Sequence, residues 1–392
     1  MTAEWRLGGF GLYVHWPFCA AKCPYCDFNS HVSSSIDQDS WLAAYLAEID
    51  RVAAETPDRV LNSVYFGGGT PSLMEPRLVE AIIDRAVSHW TAANDIEITL
   101  EANPSSIEAD RFAGYRASGV NRVSMGFQAL NDRDLKALGR LHDVETALRA
   151  LDVARQNFDR INFDLIYARQ NQTLADWKGE LERALSFDPD HLSLYQLTIE
   201  DGTAFGDRFA RGRLKGLPDD DLGADMFFLT QDLTEAAGLP AYEVSNHARP
   251  GEESRHNFIY WSAGDYAGIG PGAHGRLTLD DIRYATWTEL SPNKWLADIT
   301  AGRGEAGRSR LSRQDQAAEY LMMGLRTTRG LDLERYSIIA GLPIDDNKIK
   351  DLTEIGLLRS DRDHLIATRD GRAVLNAVIS DLLPDQTSAP SR

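Results

Sequence analysis

Residues 12–31 read LYVHWPFCAAKCPYCDFNSH. The stretch holds all three cysteines of the chain, Cys19, Cys23 and Cys26, spaced C-x3-C-x2-C. A lone cysteine is commonly a small buried hydrophobe. Three thiols in one short loop, with no fourth elsewhere, point to a soft metal centre. An odd count does not make a disulfide framework. A structural zinc site is closed and tetrahedral, so it needs a fourth ligand such as His15 or His31. An iron–sulfur cube ordinarily takes four cysteines. Held by three, it keeps one iron open to another ligand. Spacing alone leaves both readings standing.

Outward from this stretch, the chain repeats strand, loop and helix as far as residue 199. The hydrophobic pattern predicts strands at 12–16, 63–66, 97–100, 122–127, 161–167 and 191–198. It predicts helices at 39–55, 77–90, 107–118, 132–138, 144–156 and 174–186. Helix 39–55, for example, sets Trp41, Leu42, Tyr45, Leu46, Ile49 and Val52 on one stripe. Six βα units with short links imply a parallel sheet with helices outside it. Six are too few to close an eight-fold barrel. The expected fold is therefore α/β, an open, partial (β/α)6 parallel barrel.

In such a fold the chemistry sits at the C-terminal ends of the strands. The cysteines follow the first strand, and FGGGTP (66–71) follows the second. Glu101 in LEANP follows the third, Gln128 follows the fourth, and Asp164 lies within the fifth. Three glycines let a ligand approach the backbone and leave N–H groups free. The G-K-[ST] of a P-loop is missing. Thr70 is placed to cap the next helix, with Pro71 at its first position. The plain alternatives are a turn without ligand and, for Glu101, a surface salt bridge. Gln128 and Asp164 facing a barrel interior must pair with each other or hold something.

Beyond residue 200 the pattern loosens. Residues 201–221 read as a glycine-rich loop, 222–237 as a helix and 242–245 as strand-like. RHNFIYWSAGDYAGIGPGAH (255–274) follows. If its start is helical, His256 and Tyr260 share a face. Imidazole and phenolate both ligate heme iron, and Phe258, Tyr260 and Trp261 are large enough to cover a porphyrin. The plain alternative is a packed, hydrogen-bonded histidine. Residues 302–313 read as a solvated connector. Helices at 317–326, 345–355 and 372–383 around a hairpin at 357–367 make a small C-terminal α+β winged-helix-like unit. Its mixed charge argues against DNA binding. The polar tail after Pro384 reads as disordered. His142, His191, His247 and His274 show no metal spacing and read as structural. The expected divisions are 1–235 for the barrel, 236–305 for an extension and 306–392 for the C-terminal unit.

The 392 residues carry a net charge of −18, with 43% hydrophobic residues. An even acidic excess opposes nucleic acid and anionic lipid. No run approaches the roughly 18 apolar residues of a membrane span. MTAEWRLGGF has no apolar secretory core. The expected location is the cytoplasm.

The longer string Tyr13-x5-Cys19-x3-Cys23-Pro24-Tyr25-Cys26-Asp27-Phe28 resembles the radical SAM superfamily. Within it, the string is similar to the branch of anaerobic coproporphyrinogen oxidases and HemW heme chaperones. The oxidases carry a fourth cysteine two residues after the third. Phe28 stands there instead, which favours the chaperones, and so does the string HNFIYW at 256–261. The resemblance implies a [4Fe–4S] cluster on Cys19, Cys23 and Cys26, with S-adenosylmethionine (SAM) on the open iron. It implies cofactor contacts from Tyr13, Tyr25, Gly68, Gly69, Thr70 and Glu101. Gln128, Arg140 and Asp164 correspond to residues near a second SAM in the oxidases. Heme is implied at His256, Asn257, Tyr260 and Trp261. The superfamily's chemistry is one-electron cleavage of SAM to methionine and a 5′-deoxyadenosyl radical; no catalytic residue is assigned. The implied partners are heme and acceptor hemoproteins, respiratory enzymes among them, with room for a homodimer and for transient membrane contact through the acceptor. The alternatives are enzymes: an oxygen-independent coproporphyrinogen III dehydrogenase or a radical SAM methyltransferase.

Overall fold

A computed structural model describes residues 4–33 and 35–383; the polar tail lies outside them. Six strands lie side by side in chain order, all parallel: β1 (Phe10–Trp16), β2 (Val60–Gly68), β3 (Thr91–Ala102), β4 (Arg122–Gln128), β5 (Arg160–Tyr167) and β6 (His191–Gln196). Their apolar side chains are buried on both faces, as a parallel sheet under helices requires. Helices α1 (Gln38–Glu55), α2 (Pro76–His89), α3 (Phe112–Ala117), α4 (Val144–Asn157) and α5 (Leu174–Leu185) alternate with them. In α1 the expected stripe is the packed face: Trp41, Tyr45, Ile49 and Val52 are buried, and Leu42 and Leu46 pack beside them. Local capping fixes the starts. Asp37 and Asp143 accept from Ser40 N–H and Thr146 N–H, and Thr173 with Asp176 forms a capping box. The helix expected over 107–118 is broken into Ser106–Ala109 and Phe112–Ala117.

The sheet stays open and is larger than six strands. At one edge β7 (Asn246–Ala248) runs antiparallel to β6. The strand expected at 242–245 is absent, because Glu243 turns inward to accept from Ser245 N–H and Asn246 Nδ2. Between β6 and β7 lie α6 (Asp220–Ala236) and a short helix, Ala204–Ala210, within the expected loop. At the other edge β8 (Asp265–Ile269) is a seventh parallel strand, beside β1. Antiparallel β9 (His274–Leu279), β10 (Ile282–Trp287) and β11 (Gly307–Arg310) follow outward. The reading of 302–313 as a solvated connector is thus corrected. Arg308 stacks over Tyr284 and bonds Glu55 and Glu305, which ties this charged run to the sheet as an edge strand.

Helix α7 (Arg255–Trp261) precedes β8, and α8 (Pro292–Thr300) packs on α1, where Trp295 stacks on Trp41 at 5.4 Å. Residues 236–305 thereby extend the barrel's own sheet and core. The C-terminal unit has a core of its own, including Leu321, Leu325, Leu331, Tyr336 and Leu365. It begins with α9 (Arg313–Arg326), which lies against α7. A short strand, two helices, a hairpin and closing helices follow, in winged-helix order. One of those helices, Leu333–Ala340, had no counterpart in the sequence reading. Among the described residues no helix is long and apolar enough to cross a membrane.

Candidate cluster and cofactor site

The cysteine loop leaves β1 at Trp16 and is fastened on both sides. Gly69 N–H donates to Trp16 O (2.7 Å), Thr70 N–H to Phe18 O (2.8 Å) and His31 N–H to Pro17 O (2.7 Å). Across the loop, Asn29 Nδ2 donates to Pro271 O and Leu290 O, both at 2.9 Å. The glycines are required by space. A Cβ at Gly69 would stand 2.7 Å from Phe18 O. Gly68 has φ +110°, and a Cβ there would stand 2.5 Å from the His15 ring.

All three thiols are free. Each has a polar neighbour. Thr70 Oγ1 donates to Cys19 Sγ (3.4 Å), Arg140 Nη1 donates to Cys23 Sγ (3.5 Å), and Ser30 Oγ lies 4.0 Å from Cys26 Sγ. Asn103 ties two of these donors together. Its Nδ2 donates to Thr70 Oγ1 (3.2 Å), and its Oδ1 accepts from Arg140 Nη2 (2.5 Å). Thr70 therefore does not cap the turn at Pro71–Leu73 with its side chain, as the sequence suggested; its hydroxyl serves the cysteine. Among the described residues no three of His, Cys, Asp or Glu stand close enough to hold one ion. Three thiols approached by hydrogen-bond donors suit a [4Fe–4S] cluster, whose sulfurs accept such bonds and whose potential they tune.

Glu101 is no surface salt bridge. It sits half-buried at the end of β3, where Tyr65 Oη donates to Oε1 (2.8 Å) and Gly68 N–H to Oε2 (3.3 Å). Burial pushes its pKa up to about 7, against the Tyr65 hydrogen bond and with help from the Asp164 charge. Burial also raises Asp164, to about 6, against a 2.6 Å hydrogen bond from Asn162 Nδ2. The N–H groups of the glycine turn are not free: Gly68, Gly69 and Thr70 spend theirs on Glu101, Trp16 and Phe18. Gln128 does not pair with Asp164. It has φ +69°, and its amide lies over Gly126 beside Arg140, which donates to Gly126 O at 3.0 Å. Tyr13 Oη shares a 2.9 Å hydrogen bond with His15 Nδ1. Tyr25 packs toward Phe205, 6.5 Å between rings. Cysteine loop, glycine turn, Glu101, Gln128, Arg140 and Asp164 thus gather at one end of the sheet.

The 256–261 string is helical, the condition under which His256 and Tyr260 share a face, and it is locked from beneath. Glu97 accepts from Arg255 N–H (3.1 Å) and His256 N–H (3.2 Å) at the helix start and pairs with Arg160 (2.8 Å). His256 is 1% exposed. Its Nδ1 meets Ser63 Oγ and its Nε2 meets Tyr260 Oη, both at 2.7 Å. Burial lowers its pKa to about 3, so the ring is neutral. Heme iron reaching His256 would have to displace one of those hydroxyls. Tyr260 and Trp261 face a cavity of about 1270 Å³. Asn257 N–H donates to the capping Ser254 Oγ (3.4 Å). A His256→Ala variant strands Ser63 and Tyr260 and leaves a hole. The expected cost is about 2–4 kcal/mol, read from the urea midpoint.

The cavity runs from Tyr13, Gly68 and Glu101 to Met322 and Ile338 in the C-terminal unit. Phe28, 57% exposed, is at its edge. His142, His191 and His247 are packed and hydrogen-bonded, as expected of structural residues. His274 is different: it lines the cavity. The sequence reading also passed over Asn103, Tyr65 and Glu97. Asn103 stands in the same LEANP string as Glu101. Tyr65 and Glu97 carry no mark in sequence, because their roles depend on neighbouring strands.

Residues 13–184 match the radical SAM superfamily, and residues 311–374 match the HemN C-terminal domain. Heme chaperone HemW of Escherichia coli (strain K12) is 35% identical over 97% of this chain and 100% of its own length. The mouse protein named radical S-adenosyl methionine domain-containing protein 1, mitochondrial, is 38% identical over 96% of this chain and 88% of its own. The solved structure of coproporphyrinogen III oxidase (HemN) from Escherichia coli superposes with a TM-score of 0.80, covering 98% of this chain and 93% of that one at 23% identity, which establishes the shared fold. By its cysteine loop, its open parallel barrel and its full-length relatives, the chain belongs to the HemW family of the radical SAM superfamily.

Proposed function

We propose that the chain is a heme chaperone that carries a [4Fe–4S] cluster and SAM and passes heme to acceptor hemoproteins, respiratory enzymes among them. The observation that carries this reading is the likeness to a heme chaperone through barrel and C-terminal unit together. Phe28, in place of a fourth cysteine, supports it against the oxidase alternative. Cys19, Cys23 and Cys26 would hold the cluster, with Thr70, Asn103 and Arg140 steadying its sulfurs. The cluster, when bound, supplies single electrons and an iron corner free of protein thiolate. Tyr13, Gly68 and Glu101 line the cavity beside the loop and would face SAM. Gly69 shapes the turn, Tyr25 flanks Cys26, and Gln128, Arg140 and Asp164 complete the polar end of the barrel. A cytoplasmic setting belongs to the proposal; a homodimer or membrane contact through the acceptor is compatible with it.

Glu101 gives the reading a pH dependence. A carboxylate raised to about 7 becomes charged as the pH climbs through that value. An N–H or O–H donor, such as a ribose hydroxyl, bonds the charged form better. SAM affinity of the reconstituted protein should therefore rise between pH 6 and 8 and level off above, with proton release on binding. In a Glu101→Gln variant the slope should vanish. Without ligand the sign reverses: with folded-state pKa values raised, the fold loses stability as the pH rises through about 6 and 7.

The test is heme transfer. Anaerobically reconstituted protein is titrated with heme, freed of excess and mixed with an apo-hemoprotein. Uptake followed by transfer of intact heme supports the reading; failure to take up heme defeats it.

A further inference from the structure

The family reading puts heme near 256–261, yet His256 is sealed behind Ser63 and Tyr260. The cavity in front of Tyr260 and Trp261 offers another imidazole. His274 begins β9, and the period of two along a strand sets His274, Arg276 and Thr278 on one face, the one lining the cavity. Two histidines line that cavity. His15 has both ring nitrogens engaged, with Tyr13 Oη (2.9 Å) and Asn29 O (3.0 Å). His274 is exposed, and its ring makes no hydrogen bond or ion pair among the described residues. Partial desolvation and the nearby Arg276 lower its pKa from the usual imidazole value, which favours the unprotonated form that binds iron.

The walls suit an amphipathic disc. From the C-terminal unit come Met322, 38% exposed, with Met323, Ile338 and Ile339. From the barrel side come the rings of Trp261 and Tyr266. At about 1270 Å³ the space exceeds the roughly 300–1,000 Å³ of ordinary small-molecule sites. Two arginines of the antiparallel strands β9 and β11 line it. Arg276 is taken up by Glu319 through a fork of 2.7–3.2 Å contacts. Arg310, on the edge strand β11, is exposed and its side chain has no partner among the described residues. A guanidinium in that position is matched to a carboxylate on the ligand.

We propose that heme seats in this cavity, between β9 and α9, with the His274 imidazole as an iron ligand and Arg310 receiving a propionate. The assignment rests on the heme-chaperone reading and sharpens it. His256 is then a positioning residue that holds Tyr260 in the cavity wall.

The experiment titrates ferric heme into the full-length reconstituted protein, its His274→Ala and Arg310→Ala variants, and His256→Phe. Soret absorbance and electron paramagnetic resonance follow binding. His274→Ala should lose the imidazole signature and weaken binding by at least the roughly 10-fold that even a supporting residue costs a metal site. Added free imidazole should restore the signature. Arg310→Ala should weaken binding of heme but not of heme dimethyl ester, which has no propionate charge. His256→Phe, where it folds, should keep the imidazole signature. Wild-type binding with an unchanged His274→Ala spectrum and affinity overturns the assignment and leaves the chaperone reading intact. Wild-type protein that binds no heme overturns both.

Discussion

A Cys23→Ser chain, reconstituted anaerobically with iron and sulfide, should retain no [4Fe–4S] cluster, where the parent chain takes up about four irons and four sulfides. Serine keeps the size of the side chain but offers a hard oxygen in place of a soft thiolate. With three cysteines in the whole chain, no spare thiol can step in. Arg140, which donates to Cys23 Sγ, keeps its bonds to Asn103 and Gly126, and the loop keeps its ties through Asn29, Gly69 and Thr70. The variant should therefore fold like the parent, with unchanged circular dichroism, while the broad cluster absorbance disappears. Iron and sulfide analysis reads the result directly. Full iron content in the variant contradicts the ligand set.

Replacing Gly68 by alanine is the second large effect, and it acts through the backbone. A non-glycine residue at φ +110° carries about 1–3 kcal/mol of strain. The new Cβ meets the His15 ring at 2.5 Å, and that ring is pinned between Tyr13 and Asn29. Either His15 swings out and both bonds break, or the end of β2 shifts and takes the Gly68 N–H off Glu101. Both routes disorder the wall proposed to face SAM. At 1.4 kcal/mol per factor of ten, SAM affinity should fall by about 10-fold or more. Calorimetry on the reconstituted protein measures it. Gly179→Ala is the control: it lies within α5 with nothing within 4 Å of a Cβ, and an exposed helical alanine should be neutral or mildly stabilising. Equal SAM affinity in Gly68→Ala and parent would remove the turn from the site.

Much of this was legible from one strand period and one spacing. The six βα units announced a parallel sheet, because apolar runs of strand length alternated with stripes of helical period. Strand ends then predicted where Cys19, Gly68, Glu101 and Gln128 would meet. What stayed hidden was long-range. β8 looks like a loop in sequence because three of its neighbours are glycines, and it becomes a strand by docking on β1. β11 is a charged run that needs Glu55 and Tyr284 to hold it. The aromatic string at 256–261 drew notice for its residue types, and the sequence left its helix open. That its histidine would be sealed by Ser63, and its start held by Glu97, depends on partners far away in sequence. His274 looked structural for want of a spacing partner; that it lines a cavity depends on the C-terminal unit folding beside it.

On the proposed function this chain carries heme and leaves a porphyrinogen untouched. The direct measurement gives reconstituted, SAM-loaded protein heme in one vessel and coproporphyrinogen III in another, under reducing anaerobic conditions, and analyses the pigments by chromatography. Stoichiometric heme uptake, heme recovered intact and coproporphyrinogen unchanged are the expected result. Conversion of coproporphyrinogen to protoporphyrinogen, with no retained heme, would contradict it.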